Sequence, residues 1–306
     1  MSVVIRGKSI RALGFVGLGV MGEPMCANLV AKSGLPVFGA DRREAPLAAL
    51  EKLGLTRCSD AAGVARQADL VFVCVANGEQ VRDIVLGEYG LLAAGSRVTT
   101  IVDSSTTSVA LTRELSAHCA ERGVTYIDAP VARMREAARA GTLSIMVGAE
   151  PDVFDAISPI LRCMGSDLTL CGPVGSGQVV KILNNKVLFE AVHALAEALA
   201  IGRAAGVDGE VLFDALSKGS ADSRALRFQG IRHLLPGLFP PAAFPTAYAR
   251  KDIGLALELA ASTGIDARCA RTTSTLFDEA IDAGHGSAYY PVIYKLIAGI
   301  RLPRAA

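Results

Sequence analysis

An excess of charge of either sign is missing from this chain: 31 basic residues face 30 acidic ones over 306 positions, a net of +1. A nucleic-acid binder carries a basic face or stripe, so that class is excluded. Long apolar runs are missing as well. The best stretch, residues 187–201, is interrupted by Glu190, His193 and Glu197 and falls short of the ~18 uninterrupted apolar residues that suggest a membrane span. The opening MSVVIRGKSIR is too polar and too short for a secretory leader, and it has no cleavage-like site. The expectation is a soluble cytoplasmic protein with neither nucleic acid nor membrane as partner. Histidine is scarce, and the four present (His118, His193, His233, His285) never fall at metal-ligand spacing. The seven cysteines (Cys26, Cys58, Cys74, Cys119, Cys163, Cys171, Cys269) are odd in number, scattered and without a CxxC pair. That pattern fits reduced thiols rather than a disulfide framework or a zinc cage. Internal repeats and low-complexity tracts are also lacking, and no protein-bound metal is expected.

Apolar residues, by contrast, are plentiful: 51% of the chain, with a mean hydropathy of +0.38. That suffices for two packed cores, and the length exceeds the usual ~100–200 residues per domain. In the first half, short runs rich in Val, Ile, Leu and Phe at 12–18, 36–40, 70–75, 97–102 and 124–127 read as strands. Helical spacing fills 21–33, 45–53 and 109–122. Strand–helix alternation with continuously apolar strands predicts a parallel sheet covered on both faces, extended by 143–147 and 167–170. From Gln178 onward the pattern is helical only, over 178–205, 210–217, 244–263 and 269–283, with a proline-rich loop at 234–245. GPVGSG, at 172–177, punctuates the change and opens a long helix joining the two parts. The expected division is an α/β domain over 1–172 and an all-helical domain over 173–306. The ten or so residues ahead of the first strand have no reading from sequence.

The first strand runs into GLGVMG, which places Gly17, Gly19 and Gly22 in GxGxxG register with Leu18, Val20 and Met21 between them. Gly17 permits the tight turn, Gly19 lets the backbone approach a pyrophosphate, and Gly22 allows close helix–strand packing. A glycine-rich turn alone would look the same. Here it follows a strand, opens a helix, and is followed nineteen residues after Gly22 by Asp41 at a strand end, where the ribose-binding acid belongs. The reading is a Rossmann-type dinucleotide site. Asp41 favours NAD, because a carboxylate repels the 2′-phosphate of NADP. Arg42 and Arg43 cut the other way, unless they are simply a solvated helix start.

A second stretch, GPVGSGQVVKILNN, puts Lys181, Asn184 and Asn185 on one helix face at i, i+3 and i+4. A lysine whose pKa is lowered by burial can shuttle a hydroxyl proton, and the amides can hold a substrate hydroxyl. A snorkelling lysine with exposed amides has the same spacing, so spacing alone does not reach catalysis.

Taken together, GLGVMGEPMCANL, IVDSSTTS, DAPV followed by AGTLSIMVG, GxGxxxKxxNN and a late KD before LAL resemble the β-hydroxyacid dehydrogenases in order and spacing, from about residue 13 to 257. That family includes 3-hydroxyisobutyrate dehydrogenase, tartronate semialdehyde reductase and relatives of 6-phosphogluconate dehydrogenase. The resemblance implies that Lys181 is the catalytic acid/base and that Asn185 places the substrate hydroxyl. It also implies cofactor contacts from the glycine loop, from Val75 and Ala76, from Thr106 and from Lys251. Ala76 stands where the family often has proline. A larger departure follows DAPV, where Ser-Gly-Gly is replaced by Ala132-Arg133-Met134 and then Arg135. The serine and glycines would cradle a substrate carboxylate; an arginine offers a charged fork instead. In this the chain resembles the arginine-bearing branch of sulfolactaldehyde and succinic semialdehyde reductases. The alternative is an Arg133 in solvent or paired with Glu136. The expected activity is NAD-dependent hydride transfer to or from a small anionic hydroxy acid or semialdehyde. Imine reductases share the architecture but usually lack the helix lysine, and a non-catalytic dinucleotide-binding platform typically loses it too. Apolar stripes on the helical half predict a homodimer or homotetramer.

Overall fold

The computed structural model describes residues 3–241 and 243–300. The chain divides into two compact units, one ending at Lys181 and the other starting at Ile182.

The first unit opens with a hairpin, β1 (Val3–Ile5) and β2 (Lys8–Ile10), joined through Arg6 and Gly7, both at positive φ. That is the turn geometry whose twist suits two-residue hairpins. Val3, Ile5 and Ile10 are buried in the main core. Residues 3–10, among the leading residues that had no reading, are therefore a folded part of the domain. The large sheet follows: β3 (Leu13–Val16), β4 (Val37–Ala40), β5 (Thr56–Arg57), β6 (Leu70–Val73), β7 (Thr100–Asp103), β8 (Thr125–Asp128), β9 (Val131–Ala132), β10 (Leu143–Gly148) and β11 (Gly165–Gly172). Between these strands lie α1 (Gly22–Lys32), α2 (Glu44–Glu51), α3 (Ala61–Ala65), α4 (Gly78–Leu86), α5 (Val109–Glu121), α6 (Arg135–Ala140) and α7 (Pro151–Leu161). The order is β11-β10-β8-β7-β6-β3-β4-β5, with β9 pairing β10.

Burial on both faces is legible in β6. Every one of its residues is buried, with Leu70 and Phe72 entering one core and Val71 and Val73 the other. Side chains alternate across a strand, so a continuous apolar run is what a doubly covered sheet requires. Phe15 stacks on Phe72 at 5.9 Å between centroids, tying β3 to β6.

From β5 to β8 the sheet is parallel, as expected. The strands at 143–147 and 167–170 do extend it, but β10 pairs antiparallel with β8 and β9. Residues 129–142 hold only β9 and the single-turn α6, too little for the helical crossover that a parallel return demands. α7 supplies that crossover between β10 and β11, which are parallel. The short elements β5, α3, α4, α6 and α7 lie in segments where no element was expected.

α8 (Ser176–Ala204) spans the division between the units. The second unit adds α9 (Gly209–Lys218), a π-helical stretch (Leu226–Leu234), α10 (Thr246–Ser262) and α11 (Arg268–Ala280). Its described residues hold no strand, only a bridge between Pro245 and Tyr289. Phe189, Phe277 and Tyr290 meet edge to face at its centre, an arrangement aromatic rings prefer. No helix among the described residues is long and apolar enough to cross a membrane.

Candidate active site

β3 has β4 on one side and β6 on the other, so the turn after β3 sits at the sheet's topological switch point. The three glycines there have different physical reasons. Gly17 has φ +95, and a Cβ on it would run into the Cys74 carbonyl oxygen. A Cβ on Gly22 would run into the Gly17 carbonyl oxygen. Gly19 is different: a Cβ there would meet nothing within 4 Å, and its φ is not positive. Nothing in the protein requires glycine at 19, whereas a phosphate lying against the loop backbone would. Met21, at the N-cap of α1, contributes no capping side chain, which leaves the helix end suited to an anion. Leu18 is buried and offers the loop only its backbone, while Val20 is exposed.

This reasoning predicts opposite outcomes for two alanine variants. Gly19→Ala should melt like the parent and lose at least about tenfold in dinucleotide affinity, ~1.4 kcal/mol. Gly22→Ala should lower the melting temperature itself, since the loop must shift to admit the methyl. Calorimetric titration and thermal melts of both would separate the two roles; a Gly19→Ala variant with parental affinity would mean that no ligand approaches there.

Asp41 follows β4. Its carboxylate accepts the Leu18 N–H at 2.6 Å and the Arg43 N–H and Nε at 2.8 and 3.2 Å. Burial alone would raise its pKa, but the N–H groups of Arg43 and Leu18 outweigh that and hold it below the usual carboxylate range. The Arg43 guanidinium donates to the Leu18 carbonyl at 2.6 Å, and Arg42 is exposed. Of the two arginines, then, Arg43 braces the loop. An ionised acid beside the glycine turn fits a ribose diol.

Val75 and Ala76 lie on the other side of the turn, just past β6. The Val75 N–H donates to Ser105 Oγ at 3.0 Å and the Ala76 N–H to Gln80 Oε1 at 3.1 Å. Thr106 is half-buried between Ser105 and Thr107. Gln178, fully buried near the start of α8, grips this segment by donating to the Ser105 carbonyl at 2.8 Å and accepting the Thr107 N–H at 3.2 Å. Asp128 accepts the N–H groups of Gly175 and Gln178 at 2.7 and 2.8 Å, neutralising the start of α8. These bonds fix the helix end one turn before Lys181.

Asp128 pairs in register with Asp103, and both are buried. Burial pushes each carboxyl up to about 6, and for Asp103 the nearby Asp128 adds to the rise. Unfolded, such groups titrate near ~3.9. The pair therefore binds protons more tightly when folded, and its stabilising contribution, full below about pH 4, is lost as pH rises through about 6. Asp103 accepts the Ser105 N–H at 2.9 Å and the Tyr126 hydroxyl at 3.2 Å. An asparagine keeps an acceptor for the Ser105 N–H and, without charge, reverses the second bond, its Nδ2 donating to the Tyr126 oxygen. Asp103→Asn should thus gain up to ~2 kcal/mol at pH 8 and show a flatter stability profile between pH 4 and 7; a loss of stability at pH 8 in denaturant titrations would contradict this account.

On α8 the residues Gln178, Ile182, Asn185, Phe189, Val192, Ala196 and Leu199 form one buried stripe at helical spacing. Gln178 and Asn185 are its two polar members. In the second unit, Asn185 Nδ2 donates to Asp252 Oδ2 at 2.7 Å, and its Oδ1 accepts from Asn184 Nδ2 at 3.0 Å. Lys251 Nζ lies 3.0 Å from Asp252 Oδ1. Asn185 and Lys251 are thus brought together by an acid to which the sequence reading gave no role, and Asn184 joins them through Asn185. Asp252 does carry a signal: it falls with Ala249, Ile253 and Ala256 on the buried face of α10. Lys181, part-buried on α8, belongs to the first unit.

Arg133 closes β9 at φ +82, a backbone region that favours glycine. Its guanidinium donates to the Thr142 carbonyl at 2.5 Å and to Ser166 Oγ at 3.2 Å, and lies 2.7 Å from Asp167. Its acidic partner is therefore Asp167 rather than Glu136. Ala132 and Met134 flank it, half-buried, with Met134 at the N-cap of α6. Arg135 reaches toward Glu23 at 3.8 Å.

A glycine cradle at the switch point, with an ionised acid at the next strand end, is how dinucleotide-dependent oxidoreductases hold their cofactor. Residues 12–172 match the family described as the NAD-binding domain of 6-phosphogluconate dehydrogenase, and residues 175–297 match the NAD-binding domain of NADP-dependent 3-hydroxyisobutyrate dehydrogenase. Among curated relatives, 2-(hydroxymethyl)glutarate dehydrogenase of Eubacterium barkeri is 39% identical, with 82% of each chain covered. The 2-hydroxy-3-oxopropionate reductase of Escherichia coli is 36% identical over 87% of this chain and 90% of that one. A solved Mycobacterium tuberculosis 3-hydroxyisobutyrate dehydrogenase with L-serine superposes with a TM-score of 0.85 at 30% identity, covering 94% of this chain and 99% of that one. The chain belongs to the β-hydroxyacid dehydrogenase family. It is an oxidoreductase acting on the CH–OH group of a small hydroxy acid or on the matching semialdehyde, with NAD as cofactor.

Proposed function

We propose that Lys181 is the general acid/base of this reaction and that Asn185 positions the reacting oxygen. The observation that carries the reading is the commitment of Asn185. Its Oδ1 is taken by Asn184 and one Nδ2 hydrogen by Asp252, so the amide is held in one orientation and keeps a single hydrogen for a ligand. One helical turn earlier on α8, Lys181 takes the hydroxyl proton in oxidation and returns it in reduction. Bound NAD supplies the hydride acceptor, and its reduced form the donor. The glycine loop, Asp41, Val75, Ala76 and Thr106 hold the dinucleotide, and Lys251 contacts it while pairing with Asp252. Asp41 sets the preference for NAD over NADP, since an ionised carboxylate repels a 2′-phosphate. Arg133, with Ala132 and Met134 beside it, anchors the distal anion of the substrate, which requires Asp167 to share or yield the guanidinium, and Asn184 offers the substrate a second amide.

The chain works as a homodimer or homotetramer in this reading, because Leu183, Val187 and Ile201 leave apolar surface exposed along α8. Seven unpaired thiols suit a reducing cytoplasm. The test is the nicotinamide absorbance change with NAD and with NADP. The panel comprises 3-hydroxy acids, 4-hydroxybutyrate, sulfonated alcohols and the matching semialdehydes. Turnover with at least one member and preference for NAD is the expected result; dinucleotide binding without turnover on any of them would defeat the proposal.

A further inference from the structure

Away from the cofactor turn, at the end of the sheet where β3, β6 and β7 begin, lies a cavity of about 550 Å³ lined by Lys8, Ser9, Arg11, Asp69, Arg97 and Thr99. The amino-terminal hairpin, which the catalytic reading does not use, contributes Lys8 and Ser9, and Arg11 follows directly from it. Asp69 is the single acid in this lining, and it is buried and consumed. Its Oδ2 accepts the N–H groups of Arg11 and Ala12 at 2.8 and 3.1 Å, and its Oδ1 accepts Arg97 Nη2 at 3.3 Å. Lys8 Nζ is braced on the Gly123 carbonyl at 2.5 Å, which restrains its stem and leaves two ammonium hydrogens for another acceptor. Three cations against one acid give the cavity two net positive charges, with hydroxyls of Ser9 and Thr99 beside them.

We propose that this hairpin cavity is a binding site for a small dianionic phosphomonoester. A phosphate dianion matches the net charge. Arg11 and Arg97 can each meet two of its oxygens, as guanidinium groups do with phosphate, and Lys8 supplies a point charge. The cavity is larger than a phosphate group needs and falls within the ~300–1,000 Å³ of small-molecule sites, so the ligand carries an organic body as well.

The test is a calorimetric titration of the full chain with glycerol phosphate at low ionic strength, with saturating NAD present to fill the glycine loop, and again without NAD. Saturable one-to-one binding with a Kd of about 1 mM or below is expected in both titrations. The double variant Lys8→Ala/Arg11→Ala, whose changes are exposed and spare the buried Ile5 and Ile10 of the hairpin, should bind at least about tenfold more weakly while melting like the parent. Arg97→Lys, which keeps a cation for Asp69, should weaken binding in the same direction. Absence of saturation at 10 mM, or unchanged affinity in the folded double variant, would overturn the site. Binding that disappears only when NAD is added would assign the phosphate to the glycine loop instead. Because the titration with saturating NAD, in which the glycine loop is filled, reads this site directly and needs no turnover, its result stands apart from whether the catalytic proposal succeeds.

Discussion

Lys181→Ala is expected to lower kcat by about 10²–10⁴-fold, the usual contribution of a general acid/base, while the Kd for NAD stays within about threefold. The second half of that expectation follows from the geometry. The glycine turn, Asp41 and the strand-end segment at 75–76 are held by bonds to Ser105, Gln80, Arg43 and Leu18. The start of α8 is held by Asp128 and Gln178, the latter through the same Ser105 segment. None of these bonds is made by the lysine. Lys181→Arg is the sharper companion, because arginine keeps the positive charge yet does not give up its proton in a protein. If the lysine only attracts an anionic substrate, the arginine variant should retain turnover and the alanine variant should show a raised KM with kcat preserved. If it moves a proton, both should lose kcat, and the limb of the pH–rate profile that the lysine sets, acidic in oxidation and basic in reduction, should flatten in both. Stopped-flow turnover together with fluorescence titration of NAD reads both quantities, and an alanine variant with near-parental kcat would remove Lys181 from the chemistry.

Much of this arrangement could be read before any coordinates, and what escaped did so for physical reasons. Strands buried on both faces announce themselves as unbroken apolar runs, and β6, with all four residues buried, shows why that signal held. Gly17 and Gly22 are dictated by steric contact inside the turn, so their spacing was a reliable marker. The reversal of β10 was invisible, because strand direction depends on the length of the connection and not on the strand's own composition. Asp128, Gln178 and Asp252 were passed over as binding groups for a related reason. Each is a polar residue on a buried face, and its meaning lies in partners 50, 71 or 67 positions away in the chain. The hairpin at the amino terminus was too short to rise above its polar flanks until Val3, Ile5 and Ile10 were seen packed in the core.

Arg133 is where sequence and structure pull hardest against each other, and the pull itself makes a prediction. A non-glycine residue at φ +82 costs about 1–2 kcal/mol of backbone strain. The ion pair with Asp167 is too exposed to offset much of that. Strain of this kind persists where a side chain is needed for something other than stability. Arg133→Gly is therefore expected to raise the unfolding free energy by ~1 kcal/mol, the relief of strain being partly cancelled by the greater freedom of glycine in the unfolded chain. The same variant is expected to raise KM for anionic substrates by about tenfold or more, the worth of a charge-assisted hydrogen bond. Arg133→Ala should share the KM defect without the gain in stability, since alanine is also strained at that φ. Asp167→Asn weakens the competing hold on the guanidinium, so it should lower KM for the same substrates and leave kcat unchanged. A gain in stability together with a raised KM in the glycine variant would identify a strained side chain retained for the substrate. A gain in stability with KM unchanged would assign the guanidinium to Asp167 and Ser166 alone, and the distal anion would then have to be held by backbone N–H groups.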